Sequence, residues 1–382
     1  TDPEEAAIEA GAQVAVMAPT EILAEQHYLK FKQWLEPLGL SVAWLSGSQR
    51  KKAKAQNKAA LSDGLIQIAV GTHALFQDDV QFQNLGLVIV DEQHRFGVAQ
   101  RLALKNKGAD VHQLMMSATP IPRTLAMSFF ADLDVSVIDE LPPGRTPIKT
   151  RLVNSVRRSE VEGLVLGACR KGQQAYWVCP LIEESETLQL QTATETQAAL
   201  QAALPELSIG LVHGRMKAAE KAEVMAEFSA GRLNVLVATT VIEVGVDVPN
   251  AALMVIEHAE RMGLAQLHQL RGRVGRGAAA SACVLLFAEP LGDIAKARLK
   301  VIYEHTDGFE IARQDLNIRG PGEFLGARQS GVPMLRFADL EEDLPLLEAA
   351  RNIAPQLIDE RPDIVDAHLA RWLASRESYL GV

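Results

Sequence analysis

Aromatic residues are scarce, 5% of 382, so a surface built mainly from stacking platforms is excluded. Cysteine is nearly absent. Cys169, Cys179 and Cys283 lack zinc-ligand spacing and each sits in an apolar run, so they are expected as reduced core residues and not as a disulfide framework. No apolar run approaches the ~20 residues of a membrane span and no signal peptide opens the chain. A soluble cytosolic protein with no membrane partner is expected. Nor is there an excess of positive charge. A formal net charge of −10 excludes a generally basic nucleic-acid binder and leaves room only for a local patch. Residues 339–382 hold ten acids against four arginines, whereas 261–336 hold eleven lysines and arginines against seven acids. Phosphate contacts are therefore expected in the second stretch.

Hydrophobic residues, in contrast, make up 48% of the chain, enough for a large core in two or three domains. Short apolar runs recur between amphipathic stretches: Val14–Ala18, Ile66–Val70, Leu87–Val90 and Gln113–Met116, then Ala175–Cys179, Ile209–Val212, Val235–Ala238, Leu253–Ile256 and Cys283–Phe287. Continuous rather than alternating runs predict strands buried on both faces, hence parallel sheets under helices. Two successive sets predict two α/β domains, with a Pro/Gly-rich seam near Asp139–Thr150. The expected boundaries are 1–145, 146–290 and 291–382. The last part is helical over 291–318, broken at Arg319-Gly320-Pro321-Gly322, then helical near 339–357 and 362–379. Gln189–Ala203 reads as a solvated helix. The motifs show no internal repeat.

In open α/β sheets ligands sit at the carboxyl ends of the strands, and five such places are chemically loaded. Asp91-Glu92-Gln93-His94 follows Leu87–Val90. Two adjacent acids leaving a buried strand are costly unless used. A Walker-B arrangement uses them: Asp91 for Mg²⁺, Glu92 to polarise water. Ser117-Ala118-Thr119 follows the next strand and could relay the state of that site, or simply cap a helix. In Gln269-Leu270-Arg271-Gly272-Arg273-Val274-Gly275-Arg276, three arginines in six residues repel one another unless anions lie among them. One helical turn would aim Arg273 and Arg276 the same way, toward phosphates. Ala238-Thr239-Thr240 through Gly245-Val246-Asp247 suits a DNA phosphate at Thr239 and a ribose at Asp247, or a capped turn. Thr20 and Thr72, also at strand ends, suit phosphate or plain caps.

Together these segments resemble the superfamily 2 helicase core, two RecA-like domains with nucleotide between them. The order Pro-Thr-Glu, Gly-Thr-His, Asp-Glu-x-His, Ser-Ala-Thr, Thr-Thr and Gln-x-x-Gly-Arg-x-Gly-Arg matches over nearly the whole chain. Asp91 to Gly97, Ser117 to Leu125 and Asp139 to Arg145 narrow the resemblance to the RecG and Mfd branch and favour the RecG family. Gly308 to Gly331 resembles the translocation motif of these two families, with Arg313, Asn317, Arg319, Gly320, Gly322, Glu323, Arg328 and Gln329. The resemblance implies an ATP-dependent DNA helicase of the bacterial cytoplasm, remodelling stalled forks and Holliday junctions by branch migration. It implies a monomeric motor whose partners are branched DNA and a single-stranded DNA-binding protein. It assigns ATP and Mg²⁺ as cofactors. Asp91, Glu92, Gln269, Arg273 and Arg276 are then catalytic; His94, Gly245 and Asp247 join Asp91 and the two arginines around the nucleotide. Thr20, Thr72, Ser117, Thr119, Thr239, Arg313, Arg319, Arg328 and Gln329 contact DNA or couple to it.

The family pattern also contains a G-x-x-x-x-G-K-[ST] phosphate loop ahead of the Pro-Thr-Glu segment. The 382 residues contain none, and Ala6–Gly11 reads as the end of the helix that follows it. The chain is therefore expected to be a C-terminal piece of a longer protein. It would lack the family's amino-terminal wedge domain, bind nucleotide poorly alone and not turn it over. Its first sheet would be short of its central strand. Alternatives are an RNA helicase of the DEAD-box type, an Mfd-like duplex translocase, or a non-catalytic binding module that kept the fold. The 308–331 segment disfavours the first, and the paired acids and arginines disfavour the last.

Overall fold

The computed structural model describes residues 3–47, 49–93, 96, 107–108, 110–117, 136–138, 140, 147–179, 186–239, 248–277, 280–319 and 344–373. Two all-parallel sheets carry it. The first has the order β2-β3-β1-β4-β5, from β1 (Gln13–Met17), β2 (Val42–Leu45), β3 (Ile68–Gly71), β4 (Leu85–Val90) and β5 (His112–Met115). The second has the order β6-β11-β10-β7-β9-β8, from β6 (Lys149–Asn154), β7 (Gln174–Val178), β8 (Ile209–Val212), β9 (Val235–Ala238), β10 (Ala251–Ile256) and β11 (Ala282–Phe287). Helices α1 (Pro3–Glu9), α2 (Glu21–Leu35) and α3 (Lys51–Ser62) accompany the first sheet. Helices α4 (Arg158–Cys169), α5 (Glu186–Ala203), α6 (Ala218–Ser229), α7 (Leu264–Arg271) and α8 (Asp293–Glu304) accompany the second. Three further helices are α9 (Gly308–Arg319), α10 (Leu344–Glu360) and α11 (Pro362–Leu373). Contacts divide the chain into two compact units, one holding both sheets and the other α10 and α11.

All nine expected strands form. Their runs are continuously apolar because successive residues feed different layers. Ala15, Met17, Val88 and Val90 enter one core, while Val14, Val16, Leu87 and Ile89 enter another on the opposite face. Two strands have no counterpart in the sequence reading, β2 and β6, and both lie at sheet edges. An edge strand needs burial on fewer sides, so Lys149-Thr150-Arg151-Leu152-Val153-Asn154 serves without an apolar run. β6 also begins inside the expected Asp139–Thr150 linker. β5 departs from expectation in the other direction. It is an edge whose residues alternate between exposed and half-buried, not a strand covered on both faces. The first sheet is not interrupted: β1 pairs with both β3 and β4, and its edges are β2 and β5. The Gln/Ala-rich tract is helical but not wholly solvated, since α5 buries Ala193, Thr196 and Leu200. All three cysteines are free and buried. Burial pushes the Cys283 and Cys179 thiols up to about 12 and Cys169 to about 11, so none is a ready nucleophile.

The two sheets are one scheme used twice. β1 to β5 pair among themselves as β7 to β11 do, with β6 added beside β11. Details repeat as well. The Ser41 N–H donates to Gln67 Oε1 at 2.8 Å and the Ser208 N–H to Asn234 Oδ1 at 2.9 Å, each pair 26 residues apart. α3 and α6 both end before a glycine in the left-handed region, Gly64 (φ 72°) and Gly231 (φ 77°), which lets the chain reverse into β3 and β9.

Candidate nucleotide site

Parallel strands end on one edge, so β1, β3, β4, β5 and β9 bring Thr20, Thr72, Asp91, Ser117 and Thr239 to the carboxyl edges of their sheets. The acid turn after β4 is tightly held. The Asp91 N–H donates to Met17 O at 2.9 Å, the Gln93 N–H to Met116 O at 3.0 Å and the Met116 N–H to Val90 O at 2.8 Å. The turn is thus stitched to the ends of β1 and β5. Glu92 adopts φ 50°, a left-handed conformation that costs a non-glycine residue about 1 kcal/mol or more. Asp91 Oδ1 offsets this by accepting the Glu92 N–H at 2.8 Å. Its other oxygen, Oδ2, lies 2.8 Å from Nε2 of His27 on α2. Glu92 is only 9% exposed.

The arginine segment differs from expectation. α7 ends at Arg271 and Gly275 is left-handed, φ 77°, so no helical turn spans Arg273 and Arg276. Arg271 needs no anion. Buried at 3% exposure, it donates to the carbonyls of Ile302, His305 and Thr306, to Thr150 Oγ1 and to His268 Nδ1. It ties α7 to the end of α8 and to β6. Arg273 has another environment. Burial holds its guanidinium below the usual range and the neighbouring Arg276 charge adds to this. Glu92 and Asp91 pull the other way. The loop after α7 in the second sheet's lobe therefore brings two cations together, one of them within electrostatic reach of the acids of the first. The helical turn expected to aim Arg273 and Arg276 the same way does not form. Gln269 precedes this loop on α7.

The threonines divide. Thr20 is a helix cap, its Oγ1 accepting the Leu23 N–H at 3.4 Å. Thr72 is 2% exposed and its hydroxyl has no partner among the described residues. Its strand end is covered by the one-turn 3₁₀ helix His73–Phe76, in which Ala74 and Leu75 are buried. Thr239 is 3% exposed. Arg313 is exposed on α9. His94, Thr119, Gly245, Asp247, Arg328 and Gln329 lie outside the described residues, as does the side chain of Arg319 at the end of α9.

The second sheet's counterpart of Asp91 is Glu257, directly after β10 and followed by His258 at φ 47°. It is spent internally. Its carboxylate binds Arg158 at 2.9 Å and accepts the Trp177 Nε1–H at 3.0 Å, with the guanidinium 5.2 Å from the Trp177 ring centroid. The duplicated fold thus offers one acid turn to an arginine loop and closes the other.

Sequence reasoning missed His27, the Arg271 clamp and Glu257. For His27 the available signal is spacing: it lies two helical turns beyond Thr20 and shares its face. Mg²⁺ takes one or two carboxylates and completes its shell with phosphate and water. Asp91 and Glu92 beside desolvated Arg273 fit that chemistry, and no cluster of three or more ligand side chains occurs among the described residues.

The DEAD/DEAH box helicase family matches residues 5–128, the helicase conserved C-terminal domain residues 158–278, and the C-terminal part of domain 3 of the ATP-dependent DNA helicase RecG residues 305–372. The ATP-dependent DNA helicase RecG of Acidithiobacillus ferridurans is 58% identical over 373 residues, 98% of this chain and 54% of the relative. RecG of Escherichia coli K12 is 57% identical over 378 residues, again 54% of its length. The chain therefore spans about half the length of these relatives. A solved structure of RecG bound to a three-way DNA junction matches with a TM-score of 0.69 and 48% identity, over 88% of this chain and 44% of that one.

Proposed function

The chain belongs to the RecG family, and we propose that in its full-length protein it is the motor of an ATP-dependent helicase that remodels branched DNA. The observation that carries this is that Arg273, on the loop after α7, lies within the electrostatic field of Glu92 and Asp91 after β4. Acids from one lobe and cations from the other around one place are what a phosphoryl-transfer motor needs.

In this reading Asp91, set by His27 and by the Glu92 N–H, would hold Mg²⁺. Bound Mg·ATP supplies the phosphoanhydride bond whose hydrolysis drives movement. Glu92 would take a proton from water at its carboxylate. Arg273 and Arg276 would neutralise phosphate charge; Arg276 is exposed, and the partial burial of Arg273 strengthens its attraction. Gln269, His94, Gly245 and Asp247 would line the same nucleotide. Thr20, Ser117, Thr119, Thr239 and the segment Arg313 to Gln329 would hold DNA backbone or transmit its movement. Thr72, being buried, would need β3's end to open first. Contacts to phosphate position a duplex without reading its sequence, which suits a substrate defined by branching. The domain limits 1–145, 146–290 and 291–382 follow the same reading. So do a monomeric motor, a bacterial cytoplasmic location and a single-stranded DNA-binding protein as partner. No described helix is long and apolar enough to cross a membrane.

The test is ATP turnover and fork unwinding by the full-length protein, beside Arg319→Ala and Arg328→Ala. Expected is fork-stimulated turnover, with both variants losing unwinding more than hydrolysis. Absence of fork stimulation would reject the motor reading. Equal loss of both activities would reject coupling through this segment.

A further inference from the structure

Asp91 is gripped at three points. Its N–H is bound to the end of β1, its Oδ1 to the next residue and its Oδ2 to His27. Only the third grip comes from α2. A carboxylate can only accept, so His27 Nε2 carries the hydrogen and donates it. The ring is itself oriented by Phe31 one turn on, their centroids 6.5 Å apart and the planes tilted by 35°. Phe31 packs on the core that holds Val14 and Val16. α2 starts at its cap Thr20, and His27 lies about 10 Å along the same face. A displacement of the Thr20 end is therefore passed by a rigid, two-turn segment to the hydrogen bond on Asp91.

We propose that His27 is a positioning residue that sets the Asp91 carboxylate for Mg²⁺ and makes that setting respond to DNA phosphate at the Thr20 end of α2. The inference rests on the proposed roles of Asp91 and Thr20. Hydrogen-bond partners of metal-ligating carboxylates orient them, and their loss costs about 10- to 100-fold in metal affinity.

The experiment uses the full-length protein with Mn²⁺ as the probe, its binding read by electron paramagnetic resonance in the presence of a non-hydrolysable ATP analogue, with and without fork DNA. His27→Leu keeps apolar packing on Phe31 and removes the donor; His27→Gln keeps an N–H donor. Expected is tighter Mn²⁺ binding by the parent when DNA is added. His27→Leu should bind about tenfold more weakly or worse and lose the response to DNA, and His27→Gln should recover most of both. Mn²⁺ binding by His27→Leu as tight and as DNA-responsive as the parent's would overturn the proposal. So would a His27→Gln as weak as His27→Leu. Should His27→Leu not fold, as judged by melting, His27→Ala takes its place. Asp91→Asn separates the two layers. If it binds Mn²⁺ like the parent, the metal reading of the site fails. If it loses Mn²⁺ while His27→Leu does not, only the positioning role fails.

Discussion

Gln13 and Gln174 open interior strands of their sheets and make the same pair of bonds. The Gln13 carboxamide donates to the carbonyls of Leu61 and Ile66, at 3.0 and 2.6 Å. That of Gln174 donates to Phe228 and Leu233, at 2.6 and 2.7 Å. In each lobe a buried amide thus ties the first residue of β1 or β7 to the end of α3 or α6 and to the turn that follows. Leu61 and Phe228 also accept the N–H of Gly64 and Gly231, so Gln13→Leu or Gln174→Leu would leave only the Ile66 or Leu233 carbonyl without a donor, at about 1–3 kcal/mol. Gln13→Leu would also strip the acceptor of the Gln83 and Asn84 N–H groups. The sites sit in separate sheets, so their effects should add. Urea denaturation of both single variants and the double checks this; a double no weaker than the worse single would contradict independence.

The three arginines after α7 should separate by phenotype. Arg271→Ala would leave three carbonyls and a neutral histidine without donors and should lower stability by about 3 kcal/mol, seen as a fall in melting temperature. Arg273→Ala and Arg276→Ala should leave melting nearly unchanged and cut ATP turnover of the full-length protein about 100-fold or more. DNA affinity should stay close to the parent's. Full turnover by either would remove it from the site.

His268 should make the lobe acid-sensitive. Burial, with the Arg271 charge added, takes its imidazole from the usual 6.5 down to about 4. The neutral ring accepts from Arg271 at Nδ1. Between pH 6.5 and 4 the unfolded chain binds a proton that the folded chain refuses. The stability is whole above 6.5 and drains away as pH falls toward 4, on the order of 2 kcal/mol given a partly exposed ring. His268→Gln retains an acceptor without the titration. The urea midpoints of parent and variant should converge as pH drops from 7 to 4.5; parallel lines would contradict the assignment.

Buried strands were legible because a parallel sheet under two helical layers demands apolar side chains at every position. Val14–Ala18 and Val235–Ala238 could hardly be read otherwise. β6 was not, because at an edge backbone pairing holds the strand and its side chains are partly released from that demand. β2 is apolar throughout, Val42-Ala43-Trp44-Leu45, with Ala43 and Leu45 in the core, so its signal was present and went unread. The helix end at Ala6–Gly11 was read from the family pattern, and it forms, with Gly11 at φ 76°. The duplication of the lobes was hidden for a different reason. It lies in strand order and in isolated bonds such as Ser41 to Gln67 and Ser208 to Asn234, and motif comparison does not see them.

The chemistry of the site was present in residue types and order: adjacent acids leaving one strand, arginines among glycines in a later segment. What order could not supply was which of those groups meet. Arg271, Arg273 and Arg276 are alike in sequence. Yet one is consumed by the carbonyls of α8 and its following turn, and another is partly buried within the field of Glu92. Likewise Asp91 and Glu257 stand at matching strand ends, and packing of Arg158 and Trp177 closes only the second. Burial and proximity depend on residues from about thirty to well over a hundred positions away, so they exist only once the chain has folded.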